Sequence, residues 1–411
     1  MQSSRAVVFA LLAVVSIVSK VYLAGLGHNF DLESWALFAQ LIQDGKNVYA
    51  ETYRNPYGPV WGYVCAATSY LQVHLLGSRS LEDFHRLLAL WLALVDVGIA
   101  FLLARRFSMV VGALFLANPV SLLVSGVHTQ FDNLAVLLAL AACILLDRDR
   151  DASFARTALP LSLLGLSLAV KHVLIFLPFW FFIRPQSSRP SRLATLTPLL
   201  IFGASFLPFI RDERGLEGVI EHVFLYDSFH LDGFFPRLVD TVIPVKAIEA
   251  LFSWVPVFSG FKLVFLVAML LTGLAVRFES YTAQLLVYLV AMVVFASANA
   301  DQYLAIPLAA CCVFWRRLTI WWYLSFSTLF LAASPANIGM LRSMSTYADA
   351  VRTLGLDRSH PIAALLVFLA SYVFKIGRSG GELLPTHGSS GTSEPPDRAR
   401  SGRKPLPPGV T

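Results

Sequence analysis

Residues 118–146, NPVSLLVSGVHTQFDNLAVLLALAACILL, place a short polar turn between two apolar runs. The first run covers residues 107–125 and the second covers residues 133–147. A helix needs about 20 apolar residues to cross a bilayer, and somewhat shorter runs approach this length. The stretch therefore predicts two membrane-crossing helices joined by a turn that carries His, Gln, Asp and Asn.

The composition extends this prediction to the whole chain. Of the 411 residues, 56% are hydrophobic and 31 are Phe, and the mean hydropathy is +0.66. These values predict an all-α polytopic membrane protein. The four cysteines lie within apolar runs without CxxC spacing, so they indicate no metal site or redox compartment. The net charge of +6 comes from basic residues scattered among loops, a pattern of membrane orientation that excludes a nucleic-acid partner.

Twelve apolar runs are candidates for crossing the membrane. They cover residues 6–24, 86–104, 107–125, 133–147, 157–170, 172–184, 193–211, 255–276, 280–298, 302–315, 318–333 and 360–376. The first run follows Arg5 and resembles a signal peptide, but no small-residue cleavage site follows it, which favours an uncleaved anchor. The run 57–77 is long enough to cross but contains Pro59, Gln72 and His74, and we predict that it lies along the interface.

Loop charge supports that arrangement. The short loops then predicted inside carry eleven arginines: Arg105, Arg106, Arg148, Arg150, Arg156, Arg184, Arg189, Arg192, Arg277, Arg316 and Arg317. The short outside turns carry only Lys171. This bias puts both termini inside. We predict a membrane domain over residues 1–378 and a disordered cytoplasmic tail, rich in Pro, Gly and Ser, over residues 379–411.

Polar residues are concentrated on the predicted outer side. Asp31 precedes a stretch whose apolar residues, including Trp35 and Phe38, share one face of an amphipathic helix, so Asp31 could be its N-cap only. Alternatively, partial desolvation raises its pKa and makes it a general base. The turn with His128, Gln130 and Asp132 is either a solvated turn or a binding element.

Lys171 interrupts an apolar stretch that begins at Leu159. A lysine at that depth costs on the order of 3 kcal/mol on insertion scales. It either extends its ammonium to the outer interface or binds an anionic group such as a phosphate, with His172 assisting.

These stretches carry a resemblance to known enzymes. Residues 118–146 followed by LSLAVKHVLIFLPFWFF (166–182) resemble the dolichyl-phosphate-glucose-dependent glucosyltransferases of the N-glycan pathway. DLESWALFAQLIQDGKNVYAETYRNPYGPVWGY and NADQYLAIPL resemble the mannosyltransferase that adds the first mannose of GPI anchors. Both belong to the GT-C superfamily of integral-membrane glycosyltransferases. The late His-Glu-Lys of the glucosyltransferases is absent around residues 299–303, so the sugar, mannose or glucose, stays open.

The resemblance implies a GT-C-like bundle of about 12 transmembrane helices, with juxtamembrane helices at 32–44 and 57–77 in a first external loop of about residues 27–85. It also implies a catalytic Asp in that loop, here Asp31, and a polyprenyl-phosphate-linked sugar as donor. The acceptor is a glycan, a glycolipid or a protein, and the site faces the extracytoplasmic side of a plasma membrane or an endoplasmic reticulum membrane. The candidate sugar-binding residues are Glu33, Trp35, Tyr57, His128, Gln130, Asp132, Asp301 and Gln302, and the candidate phosphate-binding residues are Lys171, His172 and Arg237.

The implied reaction needs no cofactor, because Asp31 deprotonates the acceptor and the phosphate leaves as an anion. A divalent cation bound by Glu33 and Asp31 is the less favoured option. Two other classes stay open: a secondary transporter with an ion path through Asp96 and Lys171, and a non-catalytic scaffold or lipid-binding subunit.

Overall fold

The computed structural model describes residues 2–148, 154–185, 189–225, 233–244, 260–333, 355 and 357–379. Over these residues the protein is helical and has no β-strand. The α-helices are α1 (Gln2–Ala24), α2 (Asp31–Gln43), α3 (Val48–Glu51), α4 (Pro59–Leu76), α5 (Leu81–Arg106), α6 (Met109–Leu116), α7 (Pro119–Gly126), α8 (Asp132–Arg148), α9 (Phe154–Val170), α10 (Leu177–Phe182), α11 (Arg189–Ala194), α12 (Thr197–Ser205), α13 (Glu213–Val219), α14 (Phe234–Asp240), α15 (Gly260–Ala275), α16 (Tyr281–Phe295), α17 (Leu308–Val313), α18 (Leu318–Ala333) and α19 (Ser359–Ser379). Short 3₁₀ helices cover His172–Leu174 and Asp301–Ala305, and a π-helical turn covers Ile220–Phe224.

Among the described residues, three helices are individually long and apolar enough to cross a membrane: α1, α5 and α19. The pair α6 and α7 passes the same test together, although the two helices are bent by 49° at the break between them. Several further apolar helices have 10 to 17 residues. The all-helical, membrane-compatible fold is therefore confirmed over the described residues, whereas the number of twelve crossings stays a prediction.

Prolines divide several of the predicted runs. Pro119 begins α7 and splits the run 107–125, and Asn118 before it accepts a hydrogen bond from the Val120 backbone N–H as the N-cap. Pro178, Pro198 and Pro307 lie at the starts of α10, α12 and α17. Proline lacks the N–H of a helix interior but fits the first turn, so each run becomes two shorter elements.

The core is built around α8 and α16. α8 packs against α5, α9 and α16. Nearly every side chain of α16 from Thr282 to Phe295 is buried, as expected for a helix that is apolar on all faces. α1 packs on α5, α6 and α7.

One end of the bundle gathers loops predicted to lie inside. The Asp147 carboxylate accepts hydrogen bonds from the backbone N–H groups of Tyr281 (2.8 Å) and Thr282 (3.1 Å), at the N-terminus of α16. The Arg106 guanidinium lies 4.0 Å from Asp147, and the Arg184 guanidinium stacks over the Tyr281 ring at 4.0 Å. The loops after α5, α8 and α10 therefore meet at one end.

The predicted first external loop contains α2, α3 and α4. α2 packs on α4, and α4 packs on α5 and α9. Trp35, Phe38 and Leu41 are buried on one face of α2, which confirms its amphipathic pattern. The backbone at Gly58 lies directly against α9. A Cβ at this position would lie 2.0 Å from the Ala169 carbonyl oxygen, so only glycine allows the contact. This contact brings the loop before α4 beside Lys171.

Candidate functional site

The turn between α7 and α8 is buried, so the interpretation as a solvated turn is wrong. His128, Thr129, Gln130 and Asp132 are each at most 2% exposed. Thr129 has φ of 48°, an uncommon conformation for a β-branched residue. Strained backbone of this kind persists where the surrounding structure enforces it, and such positions cluster at functional sites.

Asp31 faces this turn. Its Oδ2 accepts a hydrogen bond from the Gln130 side-chain amide at 2.5 Å and from the Asn29 amide at 3.1 Å. The Asn29 amide nitrogen also lies 3.4 Å from Nδ1 of His128. The α2 N-cap is Phe30, whose side chain makes no capping hydrogen bond, and the Asp31 backbone N–H donates to Asn29 Oδ1 at 3.2 Å. The N-cap interpretation of Asp31 is therefore wrong, and its carboxylate points to the turn instead.

Lys171 forms a buried ion pair with Asp132. Its ammonium donates a hydrogen bond to Oδ2 at 2.8 Å and lies 2.7 Å from Oδ1, and the two side chains are 2% and 1% exposed. The ammonium also lies 5.0 to 5.6 Å from the ring centroids of Tyr57, Phe131 and Tyr303. These distances are typical of cation–π interactions. The snorkelling interpretation is wrong for Lys171, because its ammonium lies inside the protein.

We call Asn29, Asp31, His128, Gln130, Asp132 and Lys171 the Asp31 cluster. Gln130 donates a hydrogen bond to Asp31, and Asp132, two residues later, binds Lys171. A single turn therefore connects the first loop to the end of α9. The paired residues are far apart in the sequence: Asp31 and Gln130 differ by 99 positions, and Asp132 and Lys171 differ by 39. Helix packing therefore creates the cluster.

An aromatic wall adjoins the cluster. Phe131 stacks on Trp61 with ring centroids 4.2 Å apart and an interplanar angle of 9°. The Trp35 ring contacts the rings of Phe131 (5.3 Å) and Tyr57 (5.7 Å). Such pairs stabilise the turn that carries Gln130 and Asp132.

Burial controls the protonation of two members. Desolvation raises the pKa of Asp31 above its usual range, although the Lys171 charge and the amide donors of Gln130 and Asn29 act in the opposite direction. Burial, with a smaller contribution from His85, lowers the pKa of His128 to about 4. At neutral pH His128 is therefore a neutral imidazole, and Asp31 binds a proton more readily than an exposed aspartate.

Several buried polar atoms beside the cluster lack a hydrogen-bond partner among the described residues. They are His128 Nε2, Thr129 Oγ1, Gln130 Oε1, Trp35 Nε1 and Trp61 Nε1. Buried polar groups are normally satisfied by protein, water or ligand. This concentration of open donors and acceptors fits a region that receives a polar molecule.

The other predicted residues lie elsewhere or make other contacts. Glu33 is exposed on α2. Asp301 lies 3.6 Å from the Arg358 guanidinium, and Gln302 is half-buried beside it. His172 follows Lys171, and its ring faces Phe202 at 6.1 Å. Arg237 is exposed on α14, which packs on α15, α16 and α19.

The loop 212–254 is described only in part, and residues 226–232 and 245–254 of it lie outside the described residues. The same applies to residues 380–411 of the predicted tail and to Arg150. Within the described part of the chain, no group of three or more His, Cys, Asp or Glu side chains is arranged to bind a metal ion.

Sequence reasoning missed Asn29, Trp61, Phe131 and Tyr303. Asn29 could have been identified from its position, because an Asn two residues before a helix start commonly accepts a hydrogen bond from the backbone N–H of the first helical residue, here Asp31. Tyr303 belongs to the NADQY stretch, but its contact with Lys171 depends on how the 3₁₀ helix Asp301–Ala305 packs.

Asp96, the best candidate for an ion path, is bound within a second polar group. Its Oδ2 accepts from Lys20 Nζ (2.5 Å) and from the hydroxyls of Ser121 and Ser125 (2.8 Å each). Its Oδ1 accepts from the Asn133 amide at 2.6 Å. Both Lys20 and Asp96 are 0% exposed. The pair ties α1 to α5, α7 and α8.

Comparisons with known proteins give no match at the level of sequence. No protein-family model matches the chain, and no curated protein is similar to it.

Proposed function

We propose that the protein transfers a hexosyl residue, mannose or glucose, from a polyprenyl-phosphate-linked donor to an acceptor hydroxyl on the extracytoplasmic side of a membrane. The reaction inverts the anomeric carbon, and Asp31 is the general base. The acceptor is a glycan, a glycolipid or a protein, and the membrane is a plasma membrane or an endoplasmic reticulum membrane.

One observation carries the proposal: a carboxylate from the first loop and a buried ammonium from the end of α9 adjoin a single turn. Gln130 binds Asp31, and Asp132 binds Lys171. The interaction with Lys171 affects the pKa of Asp31, so the acid and the cation act on each other electrostatically. The ordered resemblance to GT-C enzymes involves the same three segments of the chain.

Asp31 has the properties that a general base requires. Burial raises its pKa toward the pH at which it works, and this increases its capacity to take a proton. The acceptor O–H gives its proton to the Asp31 carboxylate while the acceptor oxygen forms a bond to the anomeric carbon. The bond from that carbon to the phosphate oxygen breaks, and the electron pair leaves with the phosphate. The hydrogen bonds from Gln130 and Asn29 hold the carboxylate in one orientation.

Lys171 stabilises the charge that develops on the leaving phosphate. Asp132 fixes the position of the ammonium, which removes the need to reorganise it during the reaction. An ammonium has three N–H donors, so a hydrogen bond to Asp132 leaves donors for an anion. The aromatic wall and the open donors of the turn (His128 and Thr129) offer contacts for the sugar.

Replacement of the base tests the proposal. Purified Asp31→Asn protein in detergent, supplied with polyprenyl-phosphate-linked mannose or glucose and a lipid acceptor, should lose about 10²- to 10⁴-fold in transfer rate. Asp44→Asn is the matched control, because Asp44 is an exposed carboxylate at the other end of α2. Substantial transfer by folded Asp31→Asn protein would remove Asp31 as base.

Proton- or sodium-coupled solute uptake into proteoliposomes, without sugar transfer, would replace the proposal with the transporter alternative. The Lys20–Asp96 pair is relevant here, since an ion path would require these side chains to exchange partners. Asp96 instead accepts hydrogen bonds from four side chains.

A further inference from the structure

A groove lies on the outer surface of α1, apart from the Asp31 cluster. It has a volume of about 460 Å³ and is lined by one face of residues 17–26 and by Arg86 of α5. Residues 17, 18, 21, 22 and 25 follow helical spacing, so they form a continuous strip along α1. Apart from Arg86, every lining side chain is uncharged and nearly all are apolar.

This strip faces away from the protein core. Only 17% of the apolar window of α1 is buried, and Tyr22 is 67% exposed. Since α1 is long and apolar enough to cross a membrane, the strip is expected to contact lipid chains. The groove therefore opens toward the hydrocarbon of the bilayer.

Arg86 closes the groove at the end where α1 finishes. A Cβ on Gly25 would lie 2.8 Å from Nη2 of Arg86 and 3.2 Å from its Nε, so the guanidinium rests against the glycine backbone. Glycine at this position provides the space that the guanidinium occupies. The side chain of Arg86 is 47% exposed, and its Nη2 lies 2.6 Å from Glu82.

The Glu82 contact leaves Arg86 accessible to another anion. Exposed ion pairs between residues i and i+4 of a helix contribute only about 0.3 to 0.5 kcal/mol. A guanidinium binds phosphate through two parallel N–H donors, which is a stronger interaction. A phosphate can therefore share or replace the Glu82 contact.

We propose that this groove binds a phospholipid whose headgroup carries a net negative charge, with the phosphate on Arg86 and one hydrocarbon chain along residues 17–26 of α1. A free phosphate would contact a single charged residue at the end of an apolar surface, whereas a lipid uses both parts of the groove. The site adjoins the segment that leads to Asp31, because His85, next to Arg86, contacts the His28 ring at 6.2 Å. The proposal holds whether or not the protein is a transferase.

Lipid titration tests this site in the intact protein. The protein in detergent is titrated with phosphatidylglycerol or with phosphatidylcholine of the same chains, and retained lipid is counted by native mass spectrometry. We expect preferential retention of phosphatidylglycerol, and Arg86→Gln should weaken it about tenfold, the loss of one charge-assisted contact. Glu82→Gln should strengthen retention, because it removes a competing carboxylate.

Two further variants distinguish the position of the Arg86 guanidinium from the total charge of the protein. Gly25→Ala should weaken retention while it keeps Arg86, since the added Cβ displaces the guanidinium. Arg214→Gln, which removes an exposed arginine on α13, is the control and should leave retention unchanged. Size-exclusion profiles establish that each variant is folded.

Three results would overturn the proposal. Equal retention of the two lipids would contradict recognition of the headgroup charge, because phosphatidylcholine has a phosphate but no net charge. Unchanged phosphatidylglycerol retention in both Arg86→Gln and Gly25→Ala would place the lipid elsewhere. Competition by glycerol 3-phosphate at the same concentration as phosphatidylglycerol would assign the site to a soluble phosphate.

Discussion

Two buried lysine–aspartate pairs lie in the same helical bundle, and their surroundings differ. Asp96 binds Lys20 and accepts three further hydrogen bonds, from Ser121, Ser125 and Asn133. The Lys171–Asp132 pair instead adjoins polar atoms that have no partner within the described part of the chain, among them His128 Nε2 and Gln130 Oε1. Two adjacent residues of α8 take part in the two groups: Asp132 binds Lys171, and Asn133 donates a hydrogen bond to Asp96.

The difference shows that a charge inside a membrane bundle does not by itself indicate function. Burying a charge costs free energy that a partner must offset. At Lys20–Asp96 the neighbouring side chains complete this compensation and join four helices. At Lys171–Asp132 the neighbours leave donors and acceptors open, as a binding site requires.

Breaking the Lys20–Asp96 pair should have the largest effect on stability. Lys20→Met leaves the Asp96 carboxylate buried without its counter-charge, so we expect a loss of about 3 to 5 kcal/mol in unfolding free energy. SDS titration of the purified protein measures this loss in unfolding free energy. Adding Asp96→Asn removes the uncompensated charge and should restore most of the loss. Equal instability of the single and double variants would show that the charge is not the cause.

Matched double variants compare the two pairs in function. Lys171→Met with Asp132→Asn should reduce sugar transfer by about 10²- to 10³-fold, the size of a lost electrostatic contact to a transition state. Lys20→Met with Asp96→Asn should transfer at a rate near that of the unsubstituted protein, per folded molecule. If both doubles lost transfer equally, the comparison between a structural pair and a functional pair would fail.

The pH dependence follows from the raised pKa of Asp31. Transfer should increase as the pH rises through that pKa, above the value of about 3.9 for an ordinary aspartate, because the base must be ionised. His128 has a pKa of about 4, so it is neutral near neutral pH. The dependence of kcat/KM on pH measures this increase, and a flat profile would contradict the role of Asp31 as the base.

The same ionisation affects stability in the opposite direction. A raised pKa means that the folded protein binds this proton more tightly than the unfolded chain, so its contribution to stability decreases as the pH rises through the folded-state pKa. Asp31→Asn should therefore unfold no more readily than the unsubstituted protein at neutral pH. A clear destabilisation would indicate that the carboxylate has a structural role.

The smallest effect concerns the strained turn. Thr129→Gly should stabilise the fold by about 1 kcal/mol, because glycine adopts a positive φ without the steric cost of a β-branched residue. Unfolding of the purified variant measures this change. A lower stability would mean that contacts of the Thr129 side chain outweigh the backbone strain.

The sequence predicted the parts of the site that leave a local signal. Lys171 interrupts an apolar run, and His128, Gln130 and Asp132 crowd a short turn, so both could be identified without coordinates. The prolines at 119, 178, 198 and 307 also predict helix ends, although the apolar runs across them suggested continuous spans. Within the described part of the chain, these prolines divide four of the twelve runs into shorter helices.

Pairing between helices could not be predicted in the same way. Lys20 and Asp96 are 76 residues apart, and both lie in apolar runs that show the cost of each charge but not its partner. The partner of Asp31 is similarly set by the packing of α2 against the turn. Local rules suggested an N-cap there, and the tertiary contact with Gln130 prevailed.

Photo-crosslinking with a donor analogue shows directly whether the sugar binds at the Asp31 cluster. A polyprenyl-phosphate-linked hexose with a diazirine on the sugar is irradiated with the purified protein, and labelled peptides are identified by mass spectrometry. We expect label on residues 28–35 and 126–133, and excess unmodified donor should remove it. Label confined to the helices around Lys20 and Asp96, or label that the donor does not displace, would contradict sugar binding at the Asp31 cluster.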